Sequence, residues 1–581
     1  MGKTFDDVEK DIDAVLDSLP IFRLPLNVAL IDCLSVYERQ MLEVSDIRPF
    51  SSYDAIIVHI KESIQTLIPK LYKRCSKPTS AKYPPNTARA FNTAQQALEF
   101  CSRYSSFEHC FMMHHYDKYQ GNIEGNVITF VYPPGMNFGL DQLGRSLHIY
   151  KEEQAVRQAW EAKQLPPSVL PETARRRMKE VMQSKTRYLL DSIPSEIYIA
   201  HKEIAKAVFP SPTIDMATNI GSYTLEHYYT FWLEFATLML VQHSFCHARS
   251  FQENLSRVAS ESILSFTIEE LAILINQHLG LAPEIVSDMV RDMVLNIDTK
   301  RPDVLIQPLL PLPPDTLLIA PSLIHTANWE LCLMRNWSQR YPDIYSRIIA
   351  QKKGALADEV GRLFGSNRFV VSTCRKLKDE HGGVVGDVDV AVFDTKDGGL
   401  ALFEVKWVLE ADSVRESKVA EDQIVKGIEQ VKENKERFES DPQNFLKMVF
   451  PQKHIDSSDI KYFRIVVVGN GDTGGHEPQK KGVPVFDYDL MREVTEGLEA
   501  AGLEEILTSI KAKQNTFIDE INKRECVIET MAAGYLFRLP GYDTRPGPTA
   551  SYKKPPRISN SQPCICGSGR KFRDCCKKLE L

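Results

Sequence analysis

The chain has 581 residues, 43% of them apolar and 25% charged, with a formal net charge of -7. That length exceeds what one hydrophobic core organises, and the balance of apolar and charged residues excludes a disordered or fibrous chain. The negative net charge excludes a global positive field for nucleic acid, although positive charge confined to one groove remains compatible with it.

The first residues, Met1–Pro20, are acidic and amphipathic, with no basic stretch leading into an apolar one, so they do not form a secretory signal. Residues 1–300 read as a mainly helical region, for example at Asp54–Tyr72, Thr93–Tyr104 and Thr267–Leu279, with no internal repeat. A strand-like interruption at Asn126–Tyr132 ends in Pro-Pro-Gly. The adjacent His114 and His115 read as surface residues. The most apolar run, Phe231–Val241, is short and carries Glu234, which predicts a buried helix and no membrane span. His243 and His247 share one helical face, but no glutamate follows in the zincin pattern, so they read as packed core histidines. Residues 301–344, with the proline-rich Pro308–Pro314 and the apolar run Thr316–Ala320, read as a connecting segment.

From 345 to 515 the texture becomes α/β. A helix at Gly354–Phe364 precedes strands at Phe369–Thr373, Asp387–Phe393 and Leu400–Trp407, the last two joined by a glycine-containing turn as a β-hairpin. A charged helix follows over Arg415–Phe438, then strands at Phe463–Val468 and Val483–Phe486 and two helices to about Lys513. This order implies a mixed sheet with helices on both faces. The loop Gly469–Gly475 lacks Gly-Lys-Ser/Thr and reads as a mobile loop at the sheet edge. Residues 516–562 read as a helix and a flexible linker, the latter over Leu539–Pro563. The fold class is thus multidomain: a mainly α region, an α/β core and a small C-terminal module at 563–581.

Eight of the twelve cysteines are scattered between Cys33 and Cys526, and four cluster near the end. Scattered cysteines without an export signal predict a reducing cytoplasm, where a tight cysteine cluster means metal. Cys564, Cys566, Cys575 and Cys576 form two close pairs able to surround one Zn²⁺, with Gly-Ser-Gly allowing the turn between them. So short a segment cannot fold on apolar burial, and zinc binding at roughly 10–16 kcal/mol supplies what is missing. The spacing Cys-x-Cys-x-Ser-Gly, five residues, Cys-Cys resembles the SEC-C motif, the zinc module at the C-terminus of the SecA translocase motor. The resemblance implies docking to a protein partner. Residues 551–581 also carry eight Lys or Arg against two acidic residues, which leaves nucleic acid or ribosome as the alternative contact.

Glu-x-Lys recurs at Glu161, Glu416 and Glu433 in polar helical surroundings, but at Glu404-Val405-Lys406 it interrupts the apolar strand Leu400–Val408. Glu404 and Lys406 share a face there, and charge is costly to bury without a partner or a purpose. The preceding strand offers a further carboxylate, Asp389 or Asp387, with Asp389 preferred. These elements, with Gly386-x-x-Asp389 and an upstream helix carrying Glu359, resemble the PD-(D/E)XK (restriction-endonuclease-like) nuclease superfamily. The resemblance implies Mg²⁺ or Mn²⁺ held by Asp389, Glu404 and the carbonyl of Val405. It further implies water oriented by Lys406, support from Glu359, and a polar residue near the site at Gln423. The expected function is metal-dependent hydrolysis of nucleic-acid phosphodiesters, DNA before RNA, in restriction, repair or defence, with a homodimer for two-strand cleavage. The rival expectation is a non-enzymatic adaptor with an inactive nuclease fold that binds nucleic acid and protein.

Overall fold

The computed structural model describes residues 3–45, 52–78, 88–141, 143, 170–183, 190, 192–209, 215–299, 302–325, 327, 329–378, 381–409, 411, 414–471, 475–498 and 501–542. The molecule is multidomain, with several separate hydrophobic cores. Among the described residues no helix is long and apolar enough to cross a membrane.

The helical expectation for the N-terminal region holds. Helix Phe5–Asp17 starts in a capping box between Thr4 and Asp7 and packs with Leu26–Ser45, Ser52–Arg74 and Ala88–His115 into one core. A second core surrounds Leu225–Ser250, whose apolar residues lie all round its axis, as in a helix enclosed by neighbours. His243 is buried in that helix, as expected. His114 is half-buried, its Nδ1 3.0 Å from the Tyr119 carbonyl and its ring against Phe5, while His115 is exposed.

Two boundaries differ from the sequence reading. Residues 301–344 are not a mere connection: Thr316–Ile319 pairs with Leu310–Leu312 on one side and Leu264–Phe266 on the other, and Trp329–Arg340 buries Trp337 in the second core. Residues 516–542 are not helix and linker alone. After a helix ending at Asn522, Glu525–Ala532 and Tyr535–Tyr542 form a hairpin. Its second strand pairs in parallel with Val127–Val131, itself hairpinned to Gln120–Glu124. Phe107 and Phe537 seal this four-stranded sheet against the N-terminal core, ring centroids 4.4 Å apart.

The α/β unit runs α1 (Pro342–Arg362), β1 (Phe369–Lys378), β2 (Val384–Asp394), β3 (Gly399–Lys406), α2 (Val414–Ser440), α3 (Pro442–Val449), β4 (Tyr462–Gly469), β5 (Val485–Asp487), α4 (Tyr488–Glu496) and α5 (Leu503–Asn522). The sheet order is β5-β4-β3-β2-β1, parallel from β3 to β5 and antiparallel from β1 to β3. Leu356 and Val360 of α1 and Ile506 and Ile510 of α5 cover one face, against Phe403. Ile424 and Ile428 of α2 and Phe445 of α3 cover the other, against Leu402. Enclosure on both faces explains the nearly continuous apolar run of β3. Asp394 fixes the β2–β3 turn by accepting from the Lys396 and Asp397 amides at 3.0 and 3.2 Å and pairing with Arg368. The glycine-rich loop after β4 leads into a short helix, His476–Lys480, where no helix was expected, and β4 is an inner strand, not a sheet edge.

Candidate active site

The β2–β3 ladder is regular from Asp394↔Gly399 to Val390↔Phe403 and stops there. At the opening, Asp389 turns its carboxylate onto the neighbouring strand, and Oδ2 accepts from the Val405 amide at 2.8 Å. Opposite Asp389 on β1, Cys374 has φ +53, in the left-handed region, and the pairing skips from Thr373↔Val390 to Arg375↔Val388. A cysteine in that conformation costs on the order of 1 kcal/mol or more, and such strain gathers at functional sites. Both ladders therefore open around Asp389 and leave a fork at the end of β3.

Charge is concentrated in that fork. Glu404 is 1% exposed and Asp389 6%. From α1, Lys353 reaches both carboxylates, its Nζ 2.9 Å from Asp389 Oδ2 and 3.3 Å from Glu404 Oε1. Lys406 Nζ stands 2.8 Å from Glu404 Oε1 and donates to Gln430 Oε1 of α2. Room for these side chains comes from Gly427, also on α2. A Cβ there would lie 2.7 Å from Lys406 Cε and 3.3 Å from Glu404 Cγ. Burial and then the neighbouring Asp389 push the Glu404 carboxyl up to about 7, against the pull of Lys406 and Lys353. Burial opposes the charge of Lys353, but the Glu404 and Asp389 carboxylates outweigh it and raise its pKa.

The structure brings Asp389, Glu404, Lys406 and the main chain of Val405 together. Asp387, left open by strand alternation, is exposed, and its carbonyl accepts from Asn434 Nδ2 at 2.7 Å. Glu359 does not join the carboxylates, because it accepts a hydrogen bond from the Tyr488 hydroxyl instead. The residue that α1 sends into the fork is Lys353, six positions earlier and about 120° away round the helix axis. Gln423 is exposed, and the α2 glutamine that meets the site is Gln430. Sequence reasoning missed Lys353, Gly427 and Gln430. One signal was available: a glycine inside a long charged helix is unfavourable and marks a close approach.

The donor chemistry fits a hard divalent cation. Asp389 Oδ2 and Glu404 Oε1 both face the point now taken by the Lys353 ammonium, so two carboxylate oxygens already converge on a cation. Among the described residues no three His, Cys, Asp or Glu side chains gather as a metal cage. Mg²⁺ needs only one or two carboxylates, its remaining positions filled by carbonyl, water and substrate oxygens.

Cys564, Cys566, Cys575 and Cys576 lie outside the described residues. No curated protein and no solved structure matches the chain. One family model does match, the SEC-C motif, at residues 561–578, so the four clustered cysteines fall within a SEC-C motif.

Proposed function

We propose that the α/β unit is a metal-dependent nuclease of the PD-(D/E)XK type that hydrolyses nucleic-acid phosphodiesters, DNA before RNA. The observation that carries this reading is the fork itself. Two buried carboxylates from adjacent strands converge on one cation, beside a lysine held in place by an amide. Asp389, Glu404 and the Val405 carbonyl would hold Mg²⁺ or Mn²⁺, which when bound polarises the phosphate and lowers the pKa of water. Lys406, fixed between Glu404 and Gln430, orients the attacking water and offsets charge that develops on the phosphate oxygens. The water oxygen forms the new bond to phosphorus, the bond to one sugar oxygen breaks, and that oxygen leaves with a proton. The surrounding apolar core limits competing solvent.

In the same reading the SEC-C cysteines hold Zn²⁺ and the module docks a protein partner, with basic residues of the tail available to nucleic acid. By fold analogy, restriction, repair or defence in the cytoplasm is the setting, and a homodimer would serve two-strand cleavage. One observation favours the adaptor reading: Lys353 and Lys406 balance both carboxylates, so the fork is charge-neutral without metal.

The test is incubation of the purified chain with plasmid, linear duplex, single-stranded DNA and RNA in Mg²⁺, Mn²⁺ or EDTA, beside Lys406→Ala. Metal-dependent cleavage lost in the variant is the expected result. Binding without cleavage, equal in both proteins, would leave the adaptor.

A further inference from the structure

We infer that Lys353 is a displaceable internal counter-ion, a positioning residue that holds Asp389 and Glu404 together without a divalent cation and gives way when one binds. The inference rests on the nuclease reading of the same site and assigns to it a competition between the chain's own ammonium and its metal.

Geometry gives the first argument. One Nζ bridges Asp389 Oδ2 at 2.9 Å and Glu404 Oε1 at 3.3 Å, so it stands between the two oxygens that a metal would take. Charge gives the second. The two buried carboxylates and the two ammonium groups that touch them sum to zero, with the exposed Asp387 acting on Lys353 from outside, and a divalent cation added to all four would leave the buried cluster with surplus positive charge. One ammonium has to leave.

The surroundings decide which. Lys406 lies beneath Gly427 and is held by both Glu404 and Gln430. Lys353 is the more exposed of the two, its side chain 27% accessible against 12%. Lys353 also hangs from a flexible four-carbon stem, so its ammonium can turn outward without movement of the backbone. The neighbouring Lys352 has no such freedom: it is buried, paired with Glu330, and lies 4.8 Å from the centre of the Trp407 ring. Once released, the Lys353 ammonium stands at the mouth of the fork, where an anionic phosphodiester arrives.

The experiment is a titration of the full chain with Mn²⁺, free ion read by electron paramagnetic resonance, with Glu404→Gln defining the binding that belongs to the fork. Lys353→Met should bind Mn²⁺ at least ~10-fold more tightly than the wild type, because a charge within ion-pair distance no longer competes. Lys353→Arg, which keeps the charge, should bind no more tightly than wild type. A second readout needs no variant at the lysine. The rate of amine modification at Lys353, followed by mass spectrometry, should rise when Mn²⁺ replaces EDTA in the wild type and stay constant in Glu404→Gln. If Lys353→Met binds Mn²⁺ no better than wild type, or Lys353 is no more reactive with the metal bound, the counter-ion role is wrong although the metal site stands. If no Mn²⁺ binding depends on Glu404 in either protein, the nuclease reading falls and takes the inference with it.

Discussion

Two regions of the molecule bury carboxylates, and they do it in opposite ways. In the helical region Glu38 is fully enclosed at the start of the short helix Pro321–His325, where Oε1 accepts from the Ser322 amide at 2.8 Å and Oε2 from its hydroxyl at 2.9 Å. His243 completes the group, its Nδ1 3.2 Å from Ser322 Oγ. A serine, a histidine and an acid thus meet without exposure to any substrate, and their hydrogen bonds tie three helices together. In the fork, Asp389 and Glu404 are set against each other, next to lysines that solvent can reach. A carboxylate matched to donors specifies packing. Two like charges brought together inside a protein weaken the fold, and such arrangements cluster where chemistry needs them.

The two regions should differ most in activity. Lys406→Ala should lower metal-dependent cleavage by about 10²–10⁴-fold, the usual worth of a positioned group acting on water. Glu404→Gln should abolish cleavage while lowering the unfolding temperature only slightly, because the pairing lost with Lys406 and Lys353 is offset by relief of the repulsion from Asp389. Loss of stability in Glu404→Gln as large as the loss of activity would make the fork a structural ion-pair cluster.

Glu38→Ala should do the reverse. It strips two hydrogen bonds from Ser322 and opens a void, at a cost of about 2–4 kcal/mol in denaturant unfolding. Cleavage per folded molecule should stay at the wild-type level. Cleavage that disappears in a variant still folded would tie the helical region to the chemistry.

How far the sequence disclosed the two regions follows from the same physics. Glu404 and Lys406 were legible because they interrupt an apolar strand, and Asp389 because it lies on the strand paired with it. The β2–β3 turn was legible from its Asp and Gly. Lys353 was not, since a lysine on a charged helix looks like any solvated residue until tertiary packing turns it inward. Gln430 was missed by two helical turns, because α2 carries polar residues on most of its surface and no local pattern says which one faces β3. The hairpin Glu525–Tyr542 was hidden for a different reason. Val527, Ile528 and Met531 are exposed, so no clean alternation marks the strand, and Pro540 and Gly541 suggest a linker. Pro540 is tolerated because the parallel ladder to Val127–Val131 covers only Leu536–Arg538, so its missing N–H falls outside that pairing.

A gentler change sharpens the contrast from within α2. Gly427→Ala adds a Cβ that would meet Lys406 Cε at 2.7 Å, so the lysine has to shift. Misplacement of a reacting group by about 1 Å costs on the order of 10–100-fold in rate. Alanine also favours a helix interior over glycine by about 1 kcal/mol, which offsets the crowding. Activity should therefore fall while the unfolding temperature moves little, and parallel losses would mean that the helix, not the lysine, has been displaced.

The smallest effect tests whether the helical region also holds a carboxylate that is not matched to donors. Asp32 is buried on Leu26–Ser45, and its Oδ2 has no hydrogen-bond partner among the described residues. Burial alone pushes its carboxyl up from 3.8 to about 7. A folded-state value above the unfolded one means that the fold retains a proton the unfolded chain releases. The associated stability is complete below pH 4 and is lost as pH rises from there through about 7. Asp32→Asn keeps the neutral shape and removes the titration, so the variant should gain on the wild type by about 1–3 kcal/mol between pH 4.5 and pH 8. The comparison needs denaturant unfolding of both proteins at each pH, because other carboxylates titrate in the same range and cancel only in the difference. Parallel stability curves would show that Asp32 finds a donor in the folded chain, as Glu38 does, and would leave the fork as the place where this protein tolerates unfavourable buried charge.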